Sequence, residues 1–320
     1  MRAVVITMHG GPEVLEVRDW PEPAGVEGTL VVEVTAAGVN YRDVYEREGA
    51  GLYDTPTPLV GGVEGAGLVR EGAGDFSPGD RVAWWQAPGS YAELAAVDPA
   101  QAVPIPDGVT DEQAAAVLLQ GMTAHYLCFD TYAVQPGDPV VVHAAAGGVG
   151  LLLTQMVHRL GGRVIATTST TGKASLAREA GADEVLAYED LPDRVRDLTE
   201  GEGVAAVFDG VGKATFDPSL ASLRPRGMLV VYGYASGPPD PVPLPLLNEG
   251  SFFVTRPTLH HYVATREELL ERAGTVFGWV ADGSLSVRIG ERYPLADARR
   301  AHEDLEGRRT TGKLLLLPRT

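Results

Sequence analysis

The first third of the chain is predicted to consist of short β-strands. Up to about residue 110, apolar and polar residues alternate in short runs, and glycines and prolines separate the runs. The predicted strands are residues 3–7, 14–17, 30–36, 67–70, 81–85 and 91–97. Short strands with frequent turns between them are typical of an all-β or barrel-like domain.

Beyond residue 110 the pattern becomes helical and then alternates between strands and helices. Thr110 and Gln113 have the spacing of a capping box, which predicts a helix through residues 114–119, and a second apolar segment, 123–129, follows Gly121. Strands that alternate with helices through short loops favour βαβ units and a parallel sheet. The predicted strands are 140–143, 163–168, 184–187, 204–208 and 228–232, with helices from 151, over 173–180 and near 191.

The last quarter of the chain carries a proline-rich loop and then further regular elements. Residues 237–245 contain too many prolines for a helix or a sheet interior. A strand is predicted at 252–255, and Thr265 with Glu268 caps a helix that runs towards Val280. A helix at 296–305 and a strand at 313–317 are expected to return to the first domain.

A glycine-rich turn at residues 143–150 connects a predicted strand to a predicted helix. The dinucleotide fingerprint G-x-G-x-x-G falls on Ala145, Gly147 and Gly150, so alanine replaces its first glycine. Gly147 permits close approach of a pyrophosphate, and Gly150 permits close packing of the helix on the strand. The helix N-terminus offers unpaired N–H groups and a partial positive charge. The alternative is a glycine-rich turn that binds nothing.

The end of the next strand favours NADPH over NADH. NAD-binding units commonly place a carboxylate about 20 residues beyond the glycines, and this chain has none before Glu179. Ser169, Thr170 and Lys173 instead offer hydroxyls and positive charge that suit a 2′-phosphate. In the alternative interpretation, Ser169 or Thr170 caps a helix and Lys173 is a solvated surface residue.

Composition narrows the class of protein. The 320 residues suffice for about two domains, and no segment reaches the roughly 18 apolar residues of a membrane span. The N-terminal apolar run is too short for a signal peptide, so we expect a cytoplasmic protein. The net charge of −17 opposes binding of nucleic acid or anionic membrane as a main role. Cys128 is the only cysteine and is expected to be a buried, inert thiol.

Several separated phrases together resemble one superfamily. They are GVNYRD at 38–43, GGVEGAG at 61–67, GDRV at 79–82, LQGMT at 119–123, the turn at 143–150, VTRP at 254–257 and TGK at 311–313. From about residue 2 to 318 the chain resembles the medium-chain dehydrogenase/reductase superfamily, and more narrowly the NADPH-dependent quinone oxidoreductases of the zeta-crystallin type.

The resemblance implies an α/β fold with two parts. A GroES-like, mainly β catalytic domain is expected at residues 1–120, and a Rossmann domain with a doubly wound parallel sheet at 121–260. Residues 261–320 are expected to return to the catalytic domain, with NADPH in the cleft between the domains. A homodimer is implied, joined through the strand near residues 252–258.

The resemblance also implies roles for individual residues. Asn40, Tyr45 and Tyr53 are expected at the nicotinamide and substrate end, with Thr123 helping to hold the nicotinamide. The remaining cofactor contacts are expected from Gly147, Gly148 and Val149 at the pyrophosphate, Ser169, Lys173 and Tyr188 at the 2′-phosphate, Gly233, Phe253 and Thr255 at the nicotinamide ribose, and Arg308 over the cofactor.

Two departures from zinc-dependent relatives indicate chemistry without a metal. Asn40 stands where alcohol dehydrogenases of the superfamily carry a catalytic cysteine, and Val63 stands where they carry a histidine before Glu64. The four-cysteine structural lobe is also absent. Without thiolate and imidazole ligands, a catalytic zinc has no usual site.

Several of these residues have simpler interpretations. Asn40 has the position of an N-cap for a helix over 41–48. Tyr45 and Tyr53 are also candidates for packing, and Arg308 for a solvated side chain. Trp84 and Trp85 could form a flat acceptor surface with these tyrosines, or could belong to the core.

We therefore predict hydride transfer from NADPH to a quinone or another conjugated carbonyl acceptor. Two alternatives remain open from the sequence. One is an enoyl or acryloyl-type reductase of C=C bonds within the same superfamily. The other is a non-catalytic NADPH-binding sensor.

Overall fold

The computed structural model describes residues 1–23, 28–49 and 53–319, which fall into two compact units. Unit 1 comprises Met1–Leu119 and Thr265–Thr320, and unit 2 comprises Gln120–Ala264. The C-terminal segment therefore folds with the N-terminal residues.

Unit 1 is mainly β, as predicted. Its strands are β1 (Arg2–Ile6), β2 (Leu15–Asp19), β3 (Leu30–Val39), β4 (Leu59–Val60), β5 (Glu64–Glu71), β6 (Arg81–Trp84), β7 (Leu94–Val97), β8 (Ala102–Pro104), β15 (Ile289–Pro294) and β16 (Lys313–Leu317). One sheet has the order β2-β1-β4, and the larger has the order β15-β16-β3-β5-β6-β8, with β7 also paired to β3. Only β15 and β16 pair in parallel among these strands.

The core of unit 1 forms because β3 is almost wholly apolar. Eight of its ten residues are buried, and five of them share one core cluster with Trp84, Tyr91 and two leucines of β16, Leu314 and Leu316. Burial of this kind of surface is the main stabilising term of a domain. The helices of this unit are α1 (Tyr41–Glu48), α7 (Arg266–Ala281) and α8 (Ala298–Glu306). Helix α2 (Asp111–Tyr126) has residues in both units, because unit 1 ends at Leu119 and unit 2 begins at Gln120.

Unit 2 contains a six-stranded sheet in which every pairing is parallel. Its strands are β9 (Pro139–Val142), β10 (Arg163–Thr167), β11 (Glu184–Leu186), β12 (Val204–Asp209), β13 (Leu223–Val231) and β14 (Phe253–Thr255). Its helices are α3 (Gly148–Arg159), α4 (Thr171–Glu179), α5 (Asp193–Leu198) and α6 (Phe216–Ala221). The strand order β11-β10-β9-β12-β13-β14 is the 3-2-1-4-5-6 order of a dinucleotide-binding domain. The predicted doubly wound parallel sheet is confirmed.

The structure corrects several details of the sequence interpretation. Gly121 does not separate two helical segments, because α2 runs through it and only then passes into a π-helical turn, Leu127–Thr131. The strands β4, β8 and β15 were not predicted, since two are very short and β15 has charged residues at its centre. Trp84 is fully buried and Trp85 nearly so, which excludes Trp84 from an exposed acceptor surface and leaves both in the core.

Two further expectations can be compared with the structure. Cys128 is buried and its thiol contacts the Ala124 carbonyl oxygen at 3.2 Å, as expected for an inert thiol. Among the residues described, no helix has the length and apolar character that a membrane crossing requires.

Candidate functional site

Asn40 precedes helix α1, and its backbone and its side chain have different roles. Asn40 is the N-cap, and its backbone N–H donates to the Asp43 carboxylate at 2.8 Å. An acidic side chain at the third helical position commonly closes a helix start in this way. The N-cap position predicted for Asn40 is therefore confirmed, while its carboxamide is engaged elsewhere.

The Asn40 carboxamide belongs to a buried polar cluster with Glu64 and Lys313. Its Oδ1 accepts from Lys313 Nζ at 2.8 Å, and its Nδ2 donates to Glu64 Oε2 at 3.1 Å and to the Gly38 carbonyl at 3.3 Å. Lysine only donates and ionised glutamate only accepts, so these partners fix the orientation of the amide. Both donors of Nδ2 are engaged by the protein.

The ion pair in this cluster is close and excluded from water. Lys313 Nζ lies 2.6 Å from Glu64 Oε2, and both side chains are buried. Glu64 Oε1 also accepts the Leu119 N–H at 2.9 Å. Gly38 makes room for the pair, because a Cβ atom there would lie 2.4 Å from Glu64 Oε2 and 2.7 Å from Lys313 Cε. Buried charges need such complete pairing to be tolerated.

A second buried chain of hydrogen bonds reaches the same helix through Asp43. Arg47 Nη1 donates to His302 Nδ1 at 3.1 Å, and His302 Nε2 lies 3.3 Å from the Tyr91 hydroxyl. Tyr91 in turn donates to Asp43 Oδ2 at 2.8 Å. Since Arg47 can only donate, His302 carries its proton on Nε2 and donates it to Tyr91.

Burial shifts the pKa of two members of this chain, His302 and Asp43. It lowers the pKa of His302 to about 3, with the Arg47 charge acting in the same direction, so the imidazole is neutral near pH 7. It raises the pKa of Asp43 to about 6, against the opposing effects of Arg42 and the Tyr91 hydrogen bond. The start of α1 is thus held by two networks that the C-terminal elements α8 and β16 complete.

Three tyrosines form a row of rings beside α1. The ring centroids of Tyr41 and Tyr45 are 6.4 Å apart, and those of Tyr45 and Tyr53 are 5.8 Å apart. All three are partly exposed. Arg308 adopts a positive φ of 53° just beyond α8 and contacts the Tyr41 hydroxyl; burial raises the pKa of that hydroxyl and Arg308 acts against the rise. Unit 1 thus brings Tyr45 and Tyr53 into one row with Tyr41, which Arg308 contacts, and Asn40 precedes Tyr41 at the start of α1.

In unit 2 the glycine-rich turn is organised around the backbone of Ala144. Ala144 has a positive φ of 48°, and its carbonyl accepts the Gly147 N–H at 2.8 Å. A Cβ atom at Gly150 would lie 2.4 Å from the same carbonyl oxygen, so only glycine permits this packing. Gly147 is the N-cap of α3, and Gly148 and Val149 supply N–H groups of its first turn. Such N–H groups have no acceptor within their own helix.

Tyr188 supports this turn from a neighbouring loop. Its hydroxyl accepts the Ala144 N–H at 3.2 Å, and its ring stacks on His143 at a centroid distance of 5.8 Å. His143 is buried between the hydroxyls of Thr167 and Ser219, each 2.8 Å from a ring nitrogen. Burial lowers the pKa of His143. Sequence reasoning missed this arrangement, although a histidine at the end of a buried strand was a visible signal.

The loop after β10 carries the residues proposed for a 2′-phosphate. The Thr170 side chain caps α4 by accepting the Lys173 N–H at 3.3 Å, which bears out the alternative interpretation for Thr170. Ser169 is exposed, and Lys173 is half-buried.

The other predicted cofactor residues of unit 2 lie on three elements. Thr123 is half-buried on α2, and Gly233 follows β13, where a Cβ atom would lie 2.8 Å from the Gly210 carbonyl oxygen. Thr255 ends β14, whereas Phe253 begins that strand opposite Met228 and is 56% exposed. Phe253 therefore lies about two residues from the carboxyl edge of the sheet.

Comparison with known proteins identifies the family. Residues 26–107 match the alcohol dehydrogenase GroES-like domain, and residues 148–273 match the zinc-binding dehydrogenase domain. The chain is 43% identical to a quinone oxidoreductase of Pseudomonas aeruginosa over 99% of both chains. The chain belongs to the quinone oxidoreductase family of the medium-chain dehydrogenase/reductase superfamily. It is therefore an oxidoreductase, as the sequence indicated.

Solved structures and a second kind of relative support this membership. A quinone oxidoreductase of Escherichia coli, solved in complex with NADPH, superposes with a TM-score of 0.96 at 39% identity, covering 99% of this chain and 100% of the other. A 2-haloacrylate reductase of Burkholderia sp is 38% identical over 99% of this chain and 98% of its own.

The residues present do not fit a catalytic zinc, although one matched domain carries zinc in its name. Within residues 1–23, 28–49 and 53–319, no group of three or more His, Cys, Asp and Glu side chains is arranged to hold a metal ion. At the two positions where the resemblance implies zinc ligands in zinc-dependent dehydrogenases, this chain has Asn40, whose carboxamide is held by Lys313 and Glu64, and Val63, whose side chain has no donor atom. The ammonium of Lys313 contacts Glu64 and would repel a second cation there.

The buried pair predicts strong coupling between Lys313 and Glu64. Lys313→Met and Glu64→Gln should each lower the free energy of unfolding by about 3 to 5 kcal/mol, since each leaves an uncompensated buried charge. The double variant should be destabilised by clearly less than the sum of the two, as measured by urea unfolding. The exposed pair Arg70 and Glu22, 3.0 Å apart, is the control and should show coupling of at most about 1 kcal/mol. Additive losses for the buried pair would contradict the assignment.

Proposed function

We propose that this protein reduces quinones or related conjugated carbonyl compounds by hydride transfer from NADPH, without a metal ion. The observation that carries the proposal is the position of the glycine-rich turn. It follows β9, and the strand order reverses between β9 and β12. Dinucleotides bind at such switch points. The relatives named as quinone oxidoreductases and the NADPH complex of one of them support the same conclusion.

The residues of unit 2 would bind the cofactor. The N–H groups of Gly148 and Val149 face no acceptor in their own helix and suit the pyrophosphate, as does the positive end of α3. Ser169 and Lys173 would bind the 2′-phosphate, because residues 163–173 include no carboxylate that would repel it. Tyr188 would also contact the 2′-phosphate, and its hydroxyl holds the glycine-rich turn by accepting the Ala144 N–H. Thr123, Gly233 and Thr255 are proposed towards the nicotinamide, whereas Phe253 at the start of β14 is assigned to the dimer seam described below.

The residues of unit 1 would receive the acceptor and orient the nicotinamide. Tyr45 and Tyr53 offer flat, partly exposed rings on which a planar acceptor can stack. Asn40 is held in one orientation by Lys313 and Glu64, so it is organised in advance for contact with the nicotinamide. Arg308, beside Tyr41, would cover the cofactor.

When bound, NADPH supplies the hydride, so that NADPH, a proton and a quinone give NADP⁺ and a hydroquinone. The protein need not provide a strong acid, because water can protonate the oxygens of a reduced quinone. The proposed acceptor surface accordingly consists of the rings of Tyr45 and Tyr53. The protein contributes by orienting the acceptor against the nicotinamide and by excluding water from the reacting atoms.

A second candidate function is reduction of a C=C bond conjugated to a carboxyl or carbonyl group. The similarity to a 2-haloacrylate reductase over almost the whole of both chains favours it. The same hydride donor and the same aromatic surface would serve this reaction.

Steady-state oxidation of NADPH separates these candidates. With 1,4-benzoquinone and 9,10-phenanthrenequinone we expect turnover that depends on protein concentration, measured by loss of absorbance of NADPH. Crotonyl-CoA, 2-alkenals and 2-chloroacrylate test the C=C alternative. Activity on these compounds alone would replace the quinone assignment, and tight NADPH binding without turnover of any acceptor would indicate a sensor.

Cofactor choice is predicted to depend on Lys173. Lys173→Ala should raise the Kd for NADPH by about tenfold or more and leave the Kd for NADH nearly unchanged, because only NADPH carries the 2′-phosphate. Quenching of tryptophan fluorescence measures both constants. Arg178→Ala, in an exposed position of the same helix, is the control and should alter neither. Equal effects of Lys173→Ala on both nucleotides would refute the phosphate contact.

We also propose that a second copy of this chain covers the strand β14. This strand ends the parallel sheet, and Phe253 projects from it with 56% of its surface exposed. Exposed edge strands of this kind are ready templates for pairing, and a two-fold symmetric dimer would continue the sheet.

Sedimentation velocity tests this dimer. The wild-type chain should sediment as a dimer, and Phe253→Glu should sediment as a monomer because a charge would be buried at the seam. Leu244→Glu, at a residue 78% exposed in the same unit, should remain dimeric. A monomeric wild-type protein across the accessible concentration range would rule the proposal out.

A further inference from the structure

Arg42 stands next to the row of tyrosines and is not fully satisfied by the protein. Its guanidinium carbon lies 5.3 Å from the centroid of the Tyr53 ring. Its Nη1 atom is buried and has no hydrogen-bond partner among the described residues, although 28% of the side chain is exposed. A buried charged donor without an acceptor is costly, so such groups commonly mark ligand or catalytic positions.

The nearest carboxylate forms an ion pair with this donor but no hydrogen bond. Glu46, one helical turn further along α1, has its Oε2 atom 3.8 Å from Arg42 Nη1, beyond hydrogen-bonding distance. The other oxygen of Glu46 accepts the Thr55 hydroxyl at 3.0 Å, which helps to hold this carboxylate in place. Asp43 also lies close enough to interact electrostatically with Arg42, but no hydrogen bond joins them. Its Oδ2 accepts from Tyr91 and from the Asn40 N–H, and its Oδ1 is buried without a hydrogen-bond partner among the described residues.

The charge of the whole chain makes a local cation significant. At a net charge of −17, the protein as a whole repels anions, so an anionic acceptor must find a specific positive group. Arg42 combines such a group with a neighbouring aromatic face. Its guanidinium lies over the Tyr53 ring, and the Tyr45 ring follows at a centroid distance of 5.8 Å from that of Tyr53. Arginine is suited to this task because its planar fork binds carboxylate and sulfonate oxygens in pairs.

We propose that Arg42 is a specificity-determining residue that binds an anionic substituent, such as a carboxylate or sulfonate, on an acceptor whose planar part stacks on Tyr45 and Tyr53. The inference rests on the proposed function, because it assigns the acceptor to the tyrosine row. It extends that function by naming the acceptor class as conjugated carbonyl compounds that carry a negative charge.

The test compares a neutral and an anionic acceptor of the same ring system. The quantity measured is the ratio of kcat/KM for 1,4-naphthoquinone-2-sulfonate to that for 1,4-naphthoquinone. Comparing this ratio between variants removes the difference in intrinsic reactivity of the two quinones. Arg42→Met should lower the ratio by about tenfold or more, because a charge-assisted contact is lost. Arg42→Lys should give an intermediate ratio, since it keeps the charge without the fork.

The matched control is Arg70→Met, which removes an exposed arginine of the same unit and should leave the ratio unchanged. A change of less than about twofold in Arg42→Met, or an equal change in Arg70→Met, would overturn the proposal.

A binding measurement on the wild-type chain decides the matter independently of turnover and of folding of the variants. At saturating NADP⁺, which occupies the phosphate sites proposed in unit 2, calorimetry should show tighter binding of naphthalene-2-sulfonate than of the neutral naphthalene-2-sulfonamide. Equal affinities would refute the role of Arg42 even if quinones are reduced. Tight sulfonate binding by a protein that reduces no quinone would instead leave the anion contact in place and remove the proposed function.

Discussion

The carbonyl group of Ala144 is the point on which the nucleotide-binding half of the molecule depends. It accepts the Gly147 N–H, and it lies so close to Gly150 that no side chain fits there. Ala144 itself is held at a positive φ, which costs about 1 to 2 kcal/mol for a residue with a Cβ atom. The Tyr188 hydroxyl, supported by the buried His143, offsets that strain by accepting the Ala144 N–H. The result is a helix start whose N–H groups have a fixed direction.

In unit 1 the start of a helix is also fixed, but by charged groups. Helix α1 starts at Asn40, whose carboxamide is fixed by Lys313 and Glu64, and whose N–H is fixed by Asp43. Behind Asp43, the chain through Tyr91 and His302 ends at Arg47, which is itself paired with Glu306 at 2.6 Å. Every residue of these networks has at least one partner, although Asp43 Oδ1 accepts no hydrogen bond from the described residues, so their buried charges act as rigid supports and not as reactive groups. Arg42, whose Nη1 atom has no hydrogen-bond partner among the described residues, lies beside the partly exposed tyrosines.

Sequence reasoning succeeded where the determining pattern is local. The strand, turn and helix around residue 147, the capping boxes and the alternation of strands and helices all follow from neighbouring residues. The parallel sheet agrees with what those local patterns predicted, whereas its strand order was seen only in the structure. The N-cap position of Asn40 was recognised for the same reason.

Contacts between distant residues could not be derived in that way. Lys313 reaches Asn40 across 273 positions, and His302 reaches Tyr91 across 211. Only the fold brings them together, and neither has a local motif that would reveal its partner. The buried position of Trp84 was equally invisible, because a tryptophan in an alternating strand can face either side until the packing is known.

The central claim is that the turn from Ala144 to Val149 binds the diphosphate of NADPH and that the loop around Ser169 and Lys173 binds its extra phosphate. Amide hydrogen exchange of the wild-type chain, with and without saturating NADPH, tests this most directly. The account predicts slower exchange in peptides that cover residues 144–151 and 168–174. Binding with protection only elsewhere, or no change in exchange at any NADPH concentration, would contradict it.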